Sequence, residues 1–167
     1  MTQNRLPSPS AGRREQGDHA DSRWADLADL ALVIAREIQI RGYTDERAQP
    51  LSASEGMVMR YLQTDSGAPP GRIADATGIQ RNNLSPVLRT LEAKGLIERR
   101  ILPEDRRGVT VHATDLGRTN YTVVRQEWAD AVATAAGYDT RNLDATLSLL
   151  AAVQAGLVKT RAGDQAS

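Results

Sequence analysis

Cysteine is missing from all 167 residues, which excludes a disulfide framework, a thiolate metal site and regulation by thiol oxidation. Histidine occurs only as His19 and His112, and His19 lies in a polar leader, so a multi-histidine zinc site within one subunit is not expected. Phenylalanine is absent, and two Trp with four Tyr leave little material for an aromatic-lined cavity. No run approaches the roughly 18 apolar residues of a membrane span, and the first twenty residues hold no apolar segment of signal-peptide length. The expected location is cytoplasmic. Glycines are scattered rather than gathered into a phosphate loop, and no nucleophile and base stand at recognisable spacing, so neither an enzyme nor a cofactor is expected.

What is present is an apolar fraction of 40%, enough for one core of ordinary size with helical extensions. The formal charge is zero, which by itself argues against a polyanion partner. Its distribution does not. From Pro70 to His112 the cations Arg72, Arg81, Arg89, Lys94, Arg99, Arg100, Arg106 and Arg107 outnumber the acids by three, whereas residues 21–69 carry an excess of three acids.

Residues 1–20 combine Pro, Ser, Gly and Gln with almost nothing apolar and read as a disordered arm. Ser22 is placed to cap a helix in which Trp24, Leu27, Ala31, Ile34 and Ile38 form one stripe until Gly42. Residues 21–50 thus hold an N-terminal helix and a linker. Ser52-Ala53-Ser54-Glu55 has capping-box spacing and starts a second helix through Met57, Val58, Tyr61 and Leu62. After the break at 65–69, Pro70 suits the first position of a short helix whose inner face carries Ile73, Ala74 and Thr77, closed by Gly78. Gln80 to Lys94 then packs Leu84, Leu88 and Leu91 inward and leaves Arg81, Asn82, Asn83, Ser85 and Arg89 outward, with Pro86 expected to kink the helix locally.

That pair is a helix-turn-helix. Gly95 ends it, and Leu96–Leu102 and Val109–Ala113 alternate as two strands of a hairpin, with Pro103–Gly108 as its polar turn. Thr114 caps a long helix through Val124, Trp128, Val132 and Ala135, and another runs from about Asn142 with Leu143, Leu147, Leu150, Val153 and Leu157 on one face. The fold class expected is mainly α with a small β-hairpin wing: a winged helix-turn-helix over 51–118, flanked by dimerisation helices at 21–50 and 119–160, and a disordered tail at 161–167. Amphipathic helices at both ends have no core inside the reader, so the expected assembly is a homodimer.

The substrate such a layout fits is duplex DNA, with one helix in the major groove and the wing reaching the minor groove or backbone. The residues assigned to it are Arg81, Asn82, Asn83, Ser85 and Arg89 on the helix and Asp105, Arg106 and Arg107 on the wing. Asparagine can bond adenine N6 and N7 bidentately, arginine is favoured in a narrow minor groove, and Asp105 would hold an arginine fork. A winged helix serving only protein contact is the alternative; its outer face would be apolar rather than rich in Arg and Asn.

With these residues assembled, the segment from about Leu51 to Arg118 resembles the MarR family of bacterial transcriptional regulators. The runs Leu51-Ser52-Ala53-Ser54-Glu55, Leu91–Arg99, Asp105-Arg106-Arg107-Gly108 and Thr114–Arg118 carry that resemblance, in order and at the family's spacing. It implies a two-fold dimer on a pseudo-palindromic operator, often a repressor, released when a small lipophilic or aromatic ligand enters a cleft between the dimer and reader regions. Trp24, Tyr43, Met57, Tyr61, Tyr121 and Trp128 are the residues placed to line such a cleft. Three features depart from the family pattern: the missing cysteine of its peroxide-sensing branches, Thr77 before the turn glycine, and Ala113 before the Thr114 cap.

Overall fold

A computed structural model describes residues 12–102 and 105–164. The order is α1 (Gly12–Ile40), α2 (Ala53–Leu62), α3 (Pro70–Thr77), α4 (Arg81–Ala93), β1 (Ile97–Leu102), β2 (Asp105–Ala113), α5 (Asp115–Ala135) and α6 (Leu143–Asp164). The chain falls into two units, residues 1–41 and 42–167. No helix among the described residues is long and apolar enough to cross a membrane.

The first unit is α1. It begins at Gly12, so Ser22 lies inside the helix rather than at its cap, and residues 12–20 belong to the helix instead of the disordered arm expected there. Arg13-Arg14-Glu15-Gln16 are good helix formers, and lengthening a helix avoids the cost of a new nucleus, so no apolar stripe is needed. Residues 1–11 lie outside the described residues. Trp24, Leu30, Val33, Ile34 and Ile40 are exposed on α1, each by half or more.

In the second unit each reader element forms for a reason visible locally. Ser52 Oγ accepts from the Glu55 amide at 3.3 Å while the Glu55 carboxylate accepts from the Ser52 amide at 2.7 Å, a complete capping box. Pro70 is the first residue of α3, and Gly78 ends that helix at φ 74°, a left-handed conformation in which a side chain is strained. Helix α4 runs on through Pro86, and Leu84, Leu88 and Leu91 are buried on one face. Burying each of those leucines contributes about 1.5–3 kcal/mol, so register slippage of α4 is strongly opposed. They join Val58, Met59, Leu62, Ile73, Leu96, Val111 and Val124 in one core.

The wing differs from its expected outline. β1 and β2 pair antiparallel from Ile97↔Ala113 to Ile101↔Val109, and the next pair is Leu102↔Asp105. One step on β1 therefore spans four on β2, so Arg106-Arg107-Gly108 sits in an irregularity of the strand rather than in a turn from 103 to 108. A third segment is stitched to β2: Gly67 N donates to Val111 O and Val111 N to Ala68 O, each at 2.9 Å.

Helix α5 starts at Thr114, whose hydroxyl accepts from the Gly117 amide at 2.9 Å. Gly117 is required there: a Cβ would stand 1.9 Å from the Leu96 carbonyl oxygen. The first half of α5 is core, through Tyr121 and Val124, while Val132 further along is exposed. The linker after α1 is clamped onto α5. Asn120, buried, accepts from Gln49 N at 2.7 Å and donates to Gln49 O at 3.1 Å, and Glu127 accepts from both the Thr44 and Asp45 amides. Helix α6 extends to Asp164, past the expected end at 160, and residues 165–167 lie outside the described residues. Leu143, Leu147, Leu150 and Leu157 are exposed along it. Leu149, also exposed, stands outside the expected stripe, so the apolar surface is wider than one face.

Candidate nucleic-acid interface

The buried leucines of α4 decide what its other side presents. Arg81, Asn82, Asn83, Ser85 and Arg89 are all exposed. Asn82 Oδ1 accepts from the Asn83 amide at 3.0 Å, so its acceptor is already engaged with the backbone. Asn83 has no side-chain partner among the described residues, which leaves both its donor and acceptor for a base edge. Arg81 sits at 3.7 Å from Asp75 on α3, an exposed and weak pair. Arg72, Arg99 and Arg100 pair with Asp65, Glu92 and Glu98. Arg89, by contrast, has no acidic partner among the described residues. Among the described residues the positive excess read from the sequence is thus partly neutralised, and Arg89 on α4 is a cation left without an acid beside it. On the wing, Asp105, Arg106 and Arg107 belong to β2, but their side chains lie outside the described residues.

Helix α4 is held from behind by a half-buried ion pair that the sequence does not advertise. Lys94, at the C-terminal end of α4, donates from Nζ to both Glu55 carboxylate oxygens at 2.9 Å and to the Pro50 carbonyl at 2.8 Å. Glu55 is almost fully buried, so one carboxylate caps α2 and anchors α4.

Of the six residues expected around a ligand, the five in the second unit do not all line one cleft. Trp24 lies on α1 in the first unit. Tyr121 is buried in the core, where loss of water raises its phenol pKa. Tyr43 and Trp128 are half-buried against the same core, Tyr43 Oη accepting from Leu51 N at 3.5 Å. The Trp128 ring lies over Gly56, where a Cβ would come within 3.1 Å of it, and its buried indole N–H has no partner among the described residues. Met57 and Tyr61 do line a cleft of about 770 Å³ between α2, the end of α3, and α6. Burial and a 2.6 Å hydrogen bond to Asp65 raise the Tyr61 pKa. Arg60 and Arg161 line the cleft as well. Arg161 meets α3 from 85 residues away in sequence, a distance at which periodicity carries no signal.

Residues 51–109 match the model of the MarR family. No curated protein matches the chain. Among solved structures, the fold is similar to the transcriptional regulator BldR from Sulfolobus solfataricus, at TM-score 0.66 and 20% identity over 83% of this chain and 96% of that one. It is similar to BpsR of Bordetella bronchiseptica, whose DNA binding is regulated by 6-hydroxynicotinic acid, at TM-score 0.61 and 22% identity over 79% and 98%. It is also similar to the transcriptional repressor CouR bound to a 23-mer DNA duplex, at TM-score 0.53 and 25% identity over 89% and 99%.

Proposed function

We propose that this chain, whose residues 51–109 are a MarR-family winged helix, is a DNA-binding transcriptional regulator that acts as a homodimeric repressor on a pseudo-palindromic operator. The observation that carries the reading is the two-sidedness of α4: three leucines buried on one face, and Arg81, Asn82, Asn83, Ser85 and Arg89 exposed on the others. A helix of this make-up matches the major groove, where Asn reads adenine and Arg reads guanine or phosphate. Arg107, with Asp105 orienting it and Arg106 beside it, is assigned to the minor groove. CouR, 25% identical, is a repressor seen on a DNA duplex, and this supports both the target and the sign of regulation.

Dimerisation is supported by the apolar side chains left exposed on α1 and α6, which a second copy would cover. Two readers related by a two-fold axis meet half-sites about 10 to 10.5 base pairs apart, or multiples of that. Binding of a small effector would lower operator affinity only by favouring a shape unable to span both half-sites. The test is DNase footprinting and sedimentation on fragments from upstream of the protein's own gene. A two-half-site footprint by a dimer is the expected result; a single-subunit protein that protects no fragment in dilute buffer refutes the reading.

A further inference from the structure

One ion pair joins the two helices of the helix-turn-helix. Arg81, the first residue of α4, brings Nη2 to 3.7 Å from Asp75 Oδ1 on α3, and among the described ion pairs no other links these two helices. Gly71 and Asp75 stand one turn apart on α3 and share a face. The guanidinium lies beside both, with Nη2 only 3.8 Å from where a Cβ on Gly71 would stand. Side-chain exposures of 77% for Arg81 and 63% for Asp75 mean that the pair contributes little to folding. Its effect is on direction.

Asp75 is itself fixed from behind. Its carbonyl would meet the Ile79 amide if α3 went on, but Gly78 turns left-handed and Ile79 N donates to the Thr77 hydroxyl at 3.4 Å. Arg161 of α6 takes that place, its Nη2 donating to the Asp75 and Ala76 carbonyls at 3.1 and 3.3 Å. A cation at this end also meets the negative pole of the helix. Gly78 leaves room for it, since a Cβ there would stand 2.0 Å from Arg161 Nη1.

An arginine at the start of a helix that enters the major groove has two kinds of target, the O6 and N7 of guanine or a phosphate. Asp75 separates them. A guanidinium carries five donors in a rigid fork, so with one turned to the carboxylate the others remain for the two guanine acceptors. A phosphate on the same fork would sit about 6 Å from the carboxylate, inside the roughly 8 Å over which physiological salt screens charge, and would be repelled. Guanine is neutral and is not.

We propose that Asp75 is a specificity-determining positioning residue: it directs Arg81 onto guanine in each operator half-site and away from phosphate, within a frame that Arg161 holds. The inference rests on the regulator reading above and adds to it the base that is read and the residue that selects it.

The experiment uses the full chain to select duplexes from a randomised library, then compares a selected duplex with a scrambled one at fixed salt. Replacing single guanines by 7-deazaguanine, which lacks the N7 acceptor, should weaken the parent at least about tenfold at one position per half-site, the factor for one hydrogen bond from a charged donor. In Arg81→Ala that position should become insensitive. Asp75→Asn should bind the scrambled duplex about threefold more tightly, the effect of removing one like charge about 6 Å away in water. The ratio of selected to scrambled affinity should fall by at least about the same factor. Arg161→Gln should lower that ratio in the same direction, with Arg161→Lys in between, and circular dichroism melts confirm that the variants fold. A merely structural role would weaken both duplexes together, so an unchanged ratio in Asp75→Asn overturns the proposal, and an unchanged ratio in Arg161→Gln overturns the frame. Selection of no sequence by the parent sinks the regulator reading and this inference with it. Selection of a sequence in which no guanine depends on Arg81 sinks this inference alone.

Discussion

Replacing Lys94 by methionine removes an ammonium while keeping most of the aliphatic stem, and it leaves the Glu55 carboxylate buried with only the Ser52 amide for company. The Glu55 side chain is 6% exposed and the Lys94 side chain 28%. Breaking a fully buried pair from one side costs about 3–5 kcal/mol. Water can reach the site from the lysine side, so we take about 2–3 kcal/mol, including the hydrogen bond lost by Pro50. For a chain of this size that lowers Tm by roughly 4–12 °C. Adding Glu55→Gln to Lys94→Met removes the stranded charge, and the double variant should recover about 1 kcal/mol or more relative to Lys94→Met alone. The assay is urea unfolding of all variants at one fixed protomer concentration, because association contributes to apparent stability. A Lys94→Met transition within about 0.5 kcal/mol of the parent, or a double variant less stable than Lys94→Met, would show that this pair does not anchor α4 as argued.

Three further outcomes follow from the geometry. Asn83→Ala should cost about 1–3 kcal/mol at one operator position and relax its sequence preference, whereas Arg89→Gln should weaken all sequences and reduce the salt slope by about one; fluorescence anisotropy over a salt series distinguishes them. Gly117→Ala forces a methyl into the Leu96 carbonyl and should destabilise by about 3 kcal/mol or more, read from a thermal melt. The clamp of the linker on α5 should open in acid. Hydrogen bonds from the Thr44 amide and hydroxyl hold the Glu127 pKa below its ordinary 4.5, and the Arg47 side chain holds Asp45 at about 2. Both folded-state values lie below the unfolded ones, so the stabilisation is complete above about pH 4.5 and is lost as pH falls toward 2. The Thr44 and Asp45 amide resonances should report that transition, and its survival in Glu127→Gln would assign it elsewhere.

Local rules reached far in this chain because the reader is built from short elements with strong punctuation. The capping box at Ser52 and Glu55, Pro70 at the start of α3, Gly78 in the turn, the leucine spacing of α4 and the Thr114 cap each act within four residues, and each formed as the sequence dictates. The same periodicity that buried Leu84, Leu88 and Leu91 put Arg81, Asn83 and Arg89 outside, so the candidate DNA face was legible before any coordinates. Where the rules act at longer range they failed. The start of α1 ten residues before Ser22 and the irregular step at Leu102 depend on helix propagation and strand register, which apolar periodicity does not encode.

What the sequence determined by itself was which face of α4 is buried and which residues it turns outward, because amphipathic spacing fixes a helix face wherever the helix sits. The tertiary structure alone decided how that helix is held: Lys94 reaching Glu55 across 39 residues, and Arg161 reaching the end of α3 across 85 and 86. Contacts between charged ends of distant elements arise only once the chain has packed, since any of several cations could have met those groups and only the fold brings one within hydrogen-bonding distance.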